Sequence, residues 1–136
     1  LGAVGEGLGV ENLTLEYLLG CLLQPLAWCL GVPWEEAQLV GSLIGQKFIL
    51  NEFVAYVAFS DVMNQVTPKT EAISIFALCG FANLSSIAIL LGGLGAIAPT
   101  RRDDISRCGF RALIAATLAN LMSAALAGFF LQLGGV

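Results

Sequence analysis

Residues 72–100 carry no charged side chain, yet the centre of the stretch is polar. Ile73-Ser74-Ile75-Phe76-Ala77-Leu78 and Ile87-Ala88-Ile89-Leu90-Leu91 are ordinary membrane-helix sequence, but Cys79-Gly80-Phe81-Ala82-Asn83-Leu84-Ser85-Ser86 stands between them. About 20 apolar residues cross the hydrocarbon core of a bilayer. The stretch therefore brings a glycine, an amide and two hydroxyls to bilayer depth, where polar groups need partners inside protein or in a wet cavity. One reading is a continuous helix packed through small and hydroxyl residues. The sharper one is a helix broken at its centre, with the unwound segment facing a polar solute.

Composition sets the class. The chain is 57% hydrophobic and 12% charged, whereas soluble domains are about 25% charged. The expected fold class is an all-α membrane protein with a handful of helices. A net charge of −4 with six basic residues argues against nucleic acid, which needs a basic footprint. The absence of histidine removes the usual general base and the commonest metal ligand. Ser85, Ser86 and Cys79 then lack an activating partner, so neither an enzyme, a metal site nor a cofactor is expected. Cys21, Cys29, Cys79 and Cys108 lie far apart without a C-x-x-C, which suggests no disulfide framework. The chain starts at Leu1, and residues 1–14 read as a loop at the truncated start of a piece of a longer membrane protein.

Residues 15–32 read as an interfacial or steeply tilted helix. Pro25 would kink or end it, and Tyr17, Trp28 and Trp34 favour the membrane interface. Residues 33–66 read as a re-entrant hairpin with arms of ten to fourteen residues, too short to span. Pro33 suits a first helical position, with Glu35 and Glu36 in the first turn. Gly41 and Gly45 form a G-x-x-x-G that permits close helix approach. The tip carries Lys47, Asn51 and Glu52. A charge at bilayer depth costs about 2.5–3.5 kcal/mol even on lenient insertion scales. Either a break near residues 49–51 lets Glu52 pair with Lys47, five residues away, or Glu52 faces a solute or a proton.

Thr67 before Pro68 marks the start of a broken transmembrane helix over residues 68–99, with a glycine-rich exit. Thr100 and Asp103 fit a capping box ahead of a last transmembrane helix over residues 103–133. Ala112, Ala115, Ala116, Ala119, Ser123, Ala124 and Ala127 make a small-residue stripe expected to be its packing face, with Asn120 in an interhelical hydrogen bond. Arg101, Arg102, Arg107 and Arg111 face only Lys69 at the other end of the broken span. The positive-inside rule makes the arginine loop, residues 100–111, cytoplasmic and the C-terminus external. The hairpin then enters from outside.

Three stretches together resemble the C-terminal part of the concentrative nucleoside transporters. They are Lys47-Phe48-Ile49-Leu50-Asn51-Glu52-Phe53-Val54-Ala55-Tyr56, then Ala77-Leu78-Cys79-Gly80-Phe81-Ala82-Asn83-Leu84-Ser85-Ser86-Ile87, then Leu91-Gly92-Gly93-Leu94. The resemblance covers residues 15–130. Leu84 stands where many members have phenylalanine, a conservative departure. The resemblance implies a trimeric secondary transporter that imports nucleosides on a sodium or proton gradient, with two inverted repeats, each a re-entrant hairpin and a discontinuous helix. This chain corresponds to the second repeat and the final helix. The remaining N-terminal part, expected to hold the coupling-ion site and most base-recognising groups, is then the fragment's partner. The resemblance places ribose hydroxyls on Glu52, Asn83 and Ser86, and the base against Phe81. An acceptor-only carboxylate, an amide and a hydroxyl suit a diol, and an aromatic ring suits a planar base. A structural or oligomerisation membrane module without a solute site is the alternative; it accounts for the glycine and alanine faces but not for Glu52.

Overall fold

A computed structural model describes residues 14–135. Apart from Thr14, the expected loop over residues 1–14 lies outside the described residues. Every regular element among the described residues is helical: α1 Leu15–Cys29, α2 Trp34–Ile49, α3 Glu52–Val62, α4 Pro68–Leu78, α5 Leu84–Ile97 and α6 Arg102–Leu133, with short 3-10 turns at Met63–Gln65 and Pro99–Arg101.

Glycine determines how α1 meets α2. The two helices are bent by 116° at their junction, where Gly31 adopts φ 99°, a conformation glycine takes without a Cβ clash. A Cβ on Gly41 would lie 2.9 Å from Gly20 O, Gln24 N and the Leu23 carbonyl carbon, and one on Gly45 would lie 2.7 Å from Leu19 Cβ. The G-x-x-x-G thus receives α1, the kind of close approach that drives helix association where lipid removes the hydrophobic force between helices. Pro25 does not end α1, which runs on to Cys29. Pro33 caps α2 rather than opening it; Trp34 is the first helical residue. Trp28 and Trp34 meet edge-on at this corner, 6.4 Å between ring centroids.

The first hairpin arm is longer than expected. α2 has 16 residues, about 24 Å at 1.5 Å per residue, still short of a core about 30 Å thick. It ends at Leu50, and Asn51 restarts the chain as α3 by accepting the Val54 N–H at 2.9 Å. α3 packs back on α2, with Leu43, Ala55, Phe59 and Leu78 buried together and Leu39 and Val62 against them. The hairpin base is clasped to the start of α4. The Glu36 carboxylate accepts both the Thr67 N–H, 3.2 Å, and the Thr67 hydroxyl, 3.1 Å.

α4 starts as the sequence suggests, with Thr67 as its cap and Pro68 at its first turn. It stops at Leu78, residues 79–83 are not helical, and α5 begins at Leu84. The uncharged stretch is therefore a broken helix and not a continuous rod. α5 continues through Gly92, Gly93 and Gly95 to Ile97.

Two expectations about the last helix are corrected. Thr100 does not cap it, because Pro99 and Thr100 lie in a 3-10 turn and Arg101 occupies the cap position without a side-chain cap bond. The acid bonded in the first turn is Asp104, paired with Arg101 at 2.6 Å and Arg107 at 3.3 Å. The packing face also meets the alanine stripe only at its edge. Among the described residues Ala112, Ala115, Ala116, Ala119 and Ser123 are exposed and Ala127 is half-buried, whereas Ala124 of the stripe is buried with Leu113, Leu121 and Gly128. Gly128 sets this choice, since a Cβ there would meet the Ile73 side chain at 2.6 Å. Pro99–Leu133 is the one segment among the described residues that is by itself long and apolar enough to cross a membrane. Lys69, near the start of α4, donates to Gln132 Oε1 near the end of α6 at 2.9 Å. α4 and α6 therefore run past each other in opposite senses, with the arginines at the far end of α6.

Candidate functional site

Four helix ends converge where the hairpin tip meets the break between α4 and α5. The N-terminal ends belong to α3 and α5, and the C-terminal ends to α2 and α4. Unpaired N–H groups make the first kind of end electropositive and unpaired carbonyls make the second electronegative. The charged side chains are sorted accordingly: Glu52 is the first residue of α3, and Lys47 lies in the last turn of α2.

Asn83 is the hub. It is 5% exposed and caps α5, its Oδ1 accepting the Ser86 N–H at 2.9 Å. Its amide donates to Glu52 Oε2 at 3.3 Å and to Phe81 O at 3.2 Å. The Ser86 hydroxyl lies 2.7 Å from Phe81 O and 3.0 Å from Asn83 Oδ1, so its single proton serves one acceptor and its lone pairs stay available. Ser85 reaches the hairpin tip, donating to Leu50 O at 3.4 Å. Of the four residues singled out from the sequence, Glu52, Asn83 and Ser86 thus share one connected cluster. Phe81 projects from the unwound segment at 77% exposure. Glu52 and Ser86 are half-buried, so together they line an open face with unused acceptor capacity on the carboxylate.

Lys47 does not pair with Glu52. Lys47 is buried, 3% exposed, and its ammonium donates to Ala77 O at the end of α4 at 2.7 Å. Asn120 makes the expected interhelical hydrogen bond, and its targets are the same helix end: Ala77 O at 2.6 Å and Phe76 O at 3.2 Å. The Tyr56 hydroxyl donates to Ile75 O at 2.7 Å. Carbonyls at and just before the end of α4 are therefore satisfied by side chains from α2, α3 and α6, as a helix end shielded from water requires. The acceptors of Lys47 and Asn120 and the part played by Tyr56 do not follow from spacing along the chain; a charge and a phenol placed inside apolar arms are the available signal.

Residues 1–128 match the family model described as "Na+ dependent nucleoside transporter C-terminus". The chain belongs to this nucleoside transporter family. Its relatives include a Bacillus subtilis protein described as an uncharacterized transporter, YutK, 54% identical over 96% of this chain and 32% of its own length. The nucleoside permease NupC of Helicobacter pylori is 49% identical over 91% of this chain and 31% of its own length. Among solved structures, CNTnw in an inward-facing substrate-bound state matches with a TM-score of 0.94 and 53% identity, over 99% of this chain and 34% of that one. The chain spans about a third of the length of the curated relatives it matches. Among the described residues its fold is all-helical, as in the integral membrane transporters it matches, and the family is the one that the Asn51-Glu52-Phe53 and Gly80-Phe81-Ala82-Asn83 motifs suggest.

Proposed function

We propose that the chain forms the C-terminal part of the solute pathway of a secondary transporter that imports nucleosides on a sodium gradient, with a proton gradient as the variant to be separated by experiment. The observation that carries this reading is the junction of Glu52 and Asn83 across two separate breaks in the helices. A structural module has no need for a half-exposed carboxylate there, whereas a ribose diol matches it: the hydroxyls donate to Glu52, and Asn83 and Ser86 complete the set. Phe81, exposed beside them, offers a flat apolar face to the base. Discontinuous helices near the midplane are where transporters place their solutes, because unwinding frees backbone groups without exposing them to lipid. The nucleoside described for the family members supports the same substrate class.

In this reading the arginine end of α6 is cytoplasmic and its C-terminal end external, since Arg101, Arg102, Arg107 and Arg111 stand opposite the Lys69–Gln132 end. The N-terminal remainder completes the cavity wall and holds the coupling ion, and the assembly is a homotrimer. Full-length protein in proteoliposomes tests the function. Radiolabelled uridine should accumulate when sodium is high outside and should stop accumulating when that gradient is collapsed with no pH difference present. Accumulation that follows only the pH gradient makes the coupling ion a proton. Equilibration indifferent to both gradients would overturn secondary transport.

A further inference from the structure

Among the described residues, Lys47 is a buried cation without a carboxylate partner; the ion pairs there are those of Asp104 with Arg101 and Arg107. The ammonium instead sits on Ala77 O, at the negative end of the α4 dipole. It also packs against the unwound backbone, since a Cβ on Gly80 would be 3.1 Å from Lys47 Nζ. Hydrogen bonding alone does not account for it. Ala77 O already accepts the Asn120 amide at 2.6 Å, so the carbonyl would remain satisfied if the lysine were an uncharged residue of similar length. What the ammonium adds is charge, placed where half-helix C-termini in transporters coordinate small cations.

We propose that Lys47 is a positioning residue that supplies a tethered cation: its ammonium fills a place where a soluble monovalent cation would otherwise bind, and so clamps the end of α4 to α2, the hairpin arm that leads into the tip carrying Glu52. The hairpin tip and the α4–α5 break then stay in register, Glu52 against Asn83, without a dissociable ion at this end. The uptake readout rests on the proposed transport function; the stability readout does not.

The test uses the full-length protein and n-propylammonium, which reproduces the atoms that Lys47→Ala deletes. Lys47→Ala should melt lower than wild type and be stabilised by n-propylammonium, while wild type is unchanged by it. Uridine uptake should fall by about 10-fold or more in Lys47→Ala, as loss of a charged hydrogen-bonding group implies, and recover in part with the same cation. Lys47→Arg should keep most uptake. Lys47→Met should lose it and should not be rescued, because its side chain fills the space. A folded Lys47→Met that transports like wild type overturns the proposal, as does a Lys47→Ala indifferent to n-propylammonium in both melting and uptake. If Lys47→Ala does not survive purification, the Arg and Met variants decide: uptake with Arg and not with Met supports the tethered charge, and equal behaviour refutes it. A wild-type protein that moves no nucleoside would sink the functional reading and leave the melting comparison standing.

Discussion

Replacing Glu52 with alanine in the full-length transporter should lower nucleoside uptake on the order of 100-fold or more, because hydrogen bonds to charged groups are worth about 1.5–3 kcal/mol each and a diol offers two. The same change should barely affect folding. Among the described residues, the Glu52 carboxylate accepts a single long hydrogen bond, 3.3 Å from the Asn83 amide, and Asn83 keeps its bond to Phe81 O. Its favourable position at the start of α3 is worth about 0.3–1 kcal/mol. The effect on transport therefore exceeds the effect on stability by a wide margin. Glu52→Gln retains an acceptor and the shape, and should fall between alanine and wild type. Uptake at equal membrane abundance, with a melting curve for each variant, checks this. Loss of uptake together with a collapsed melting temperature would assign Glu52 to the fold instead.

The second large effect is on assembly. Gly41→Val should destabilise the protein by about 3 kcal/mol, the upper end of overpacking costs. A Cβ at Gly41 would strike three backbone atoms of α1, each at 2.9 Å, and backbone cannot rotate away. Gly45 is the milder site, because there the obstacle is the Leu19 side chain. Gly92 and Gly93 provide the internal control. Nothing lies within contact of a Cβ at either position, so alanine there is neutral or gains up to about 1 kcal/mol of helix propensity. Detergent melting of valine at 41 and 45 and alanine at 92 and 93 should rank Gly41→Val lowest and Gly92→Ala at or above wild type. A Gly41→Val protein melting with wild type would mean that α1 does not pack as described.

The break between α4 and α5 was legible because Gly80, Asn83, Ser85 and Ser86 interrupt a run that is otherwise uniformly apolar, and polar groups at that depth need a structural reason. The hairpin tip was legible for the same reason at Asn51 and Glu52. Which face of α6 packs was not. Helical spacing groups Ala112, Ala116, Ala119 and Ser123 on one side, but it does not say where the partner lies, and the close contact of Gly128 with Ile73 turns the opposite side inward. The partner of Lys47 escaped for a related reason. Spacing rules address neighbours three and four residues away, whereas its acceptor is Ala77, 30 residues on. The helix start at Arg102 was misplaced because the Thr100–Asp103 pattern matches a cap in sequence while Pro99 opens a 3-10 turn through Thr100.

The central claim is that Glu52 meets the sugar of the transported nucleoside. The most direct measurement is the binding of uridine and 2′,3′-dideoxyuridine to purified wild-type protein and to Glu52→Ala. Wild type should prefer uridine by roughly 100-fold, since a site built to bond hydroxyls rejects the analogue lacking them, and the preference should shrink to within a few-fold in Glu52→Ala. A Glu52→Ala protein that still distinguishes the two ligands as wild type does would contradict the account.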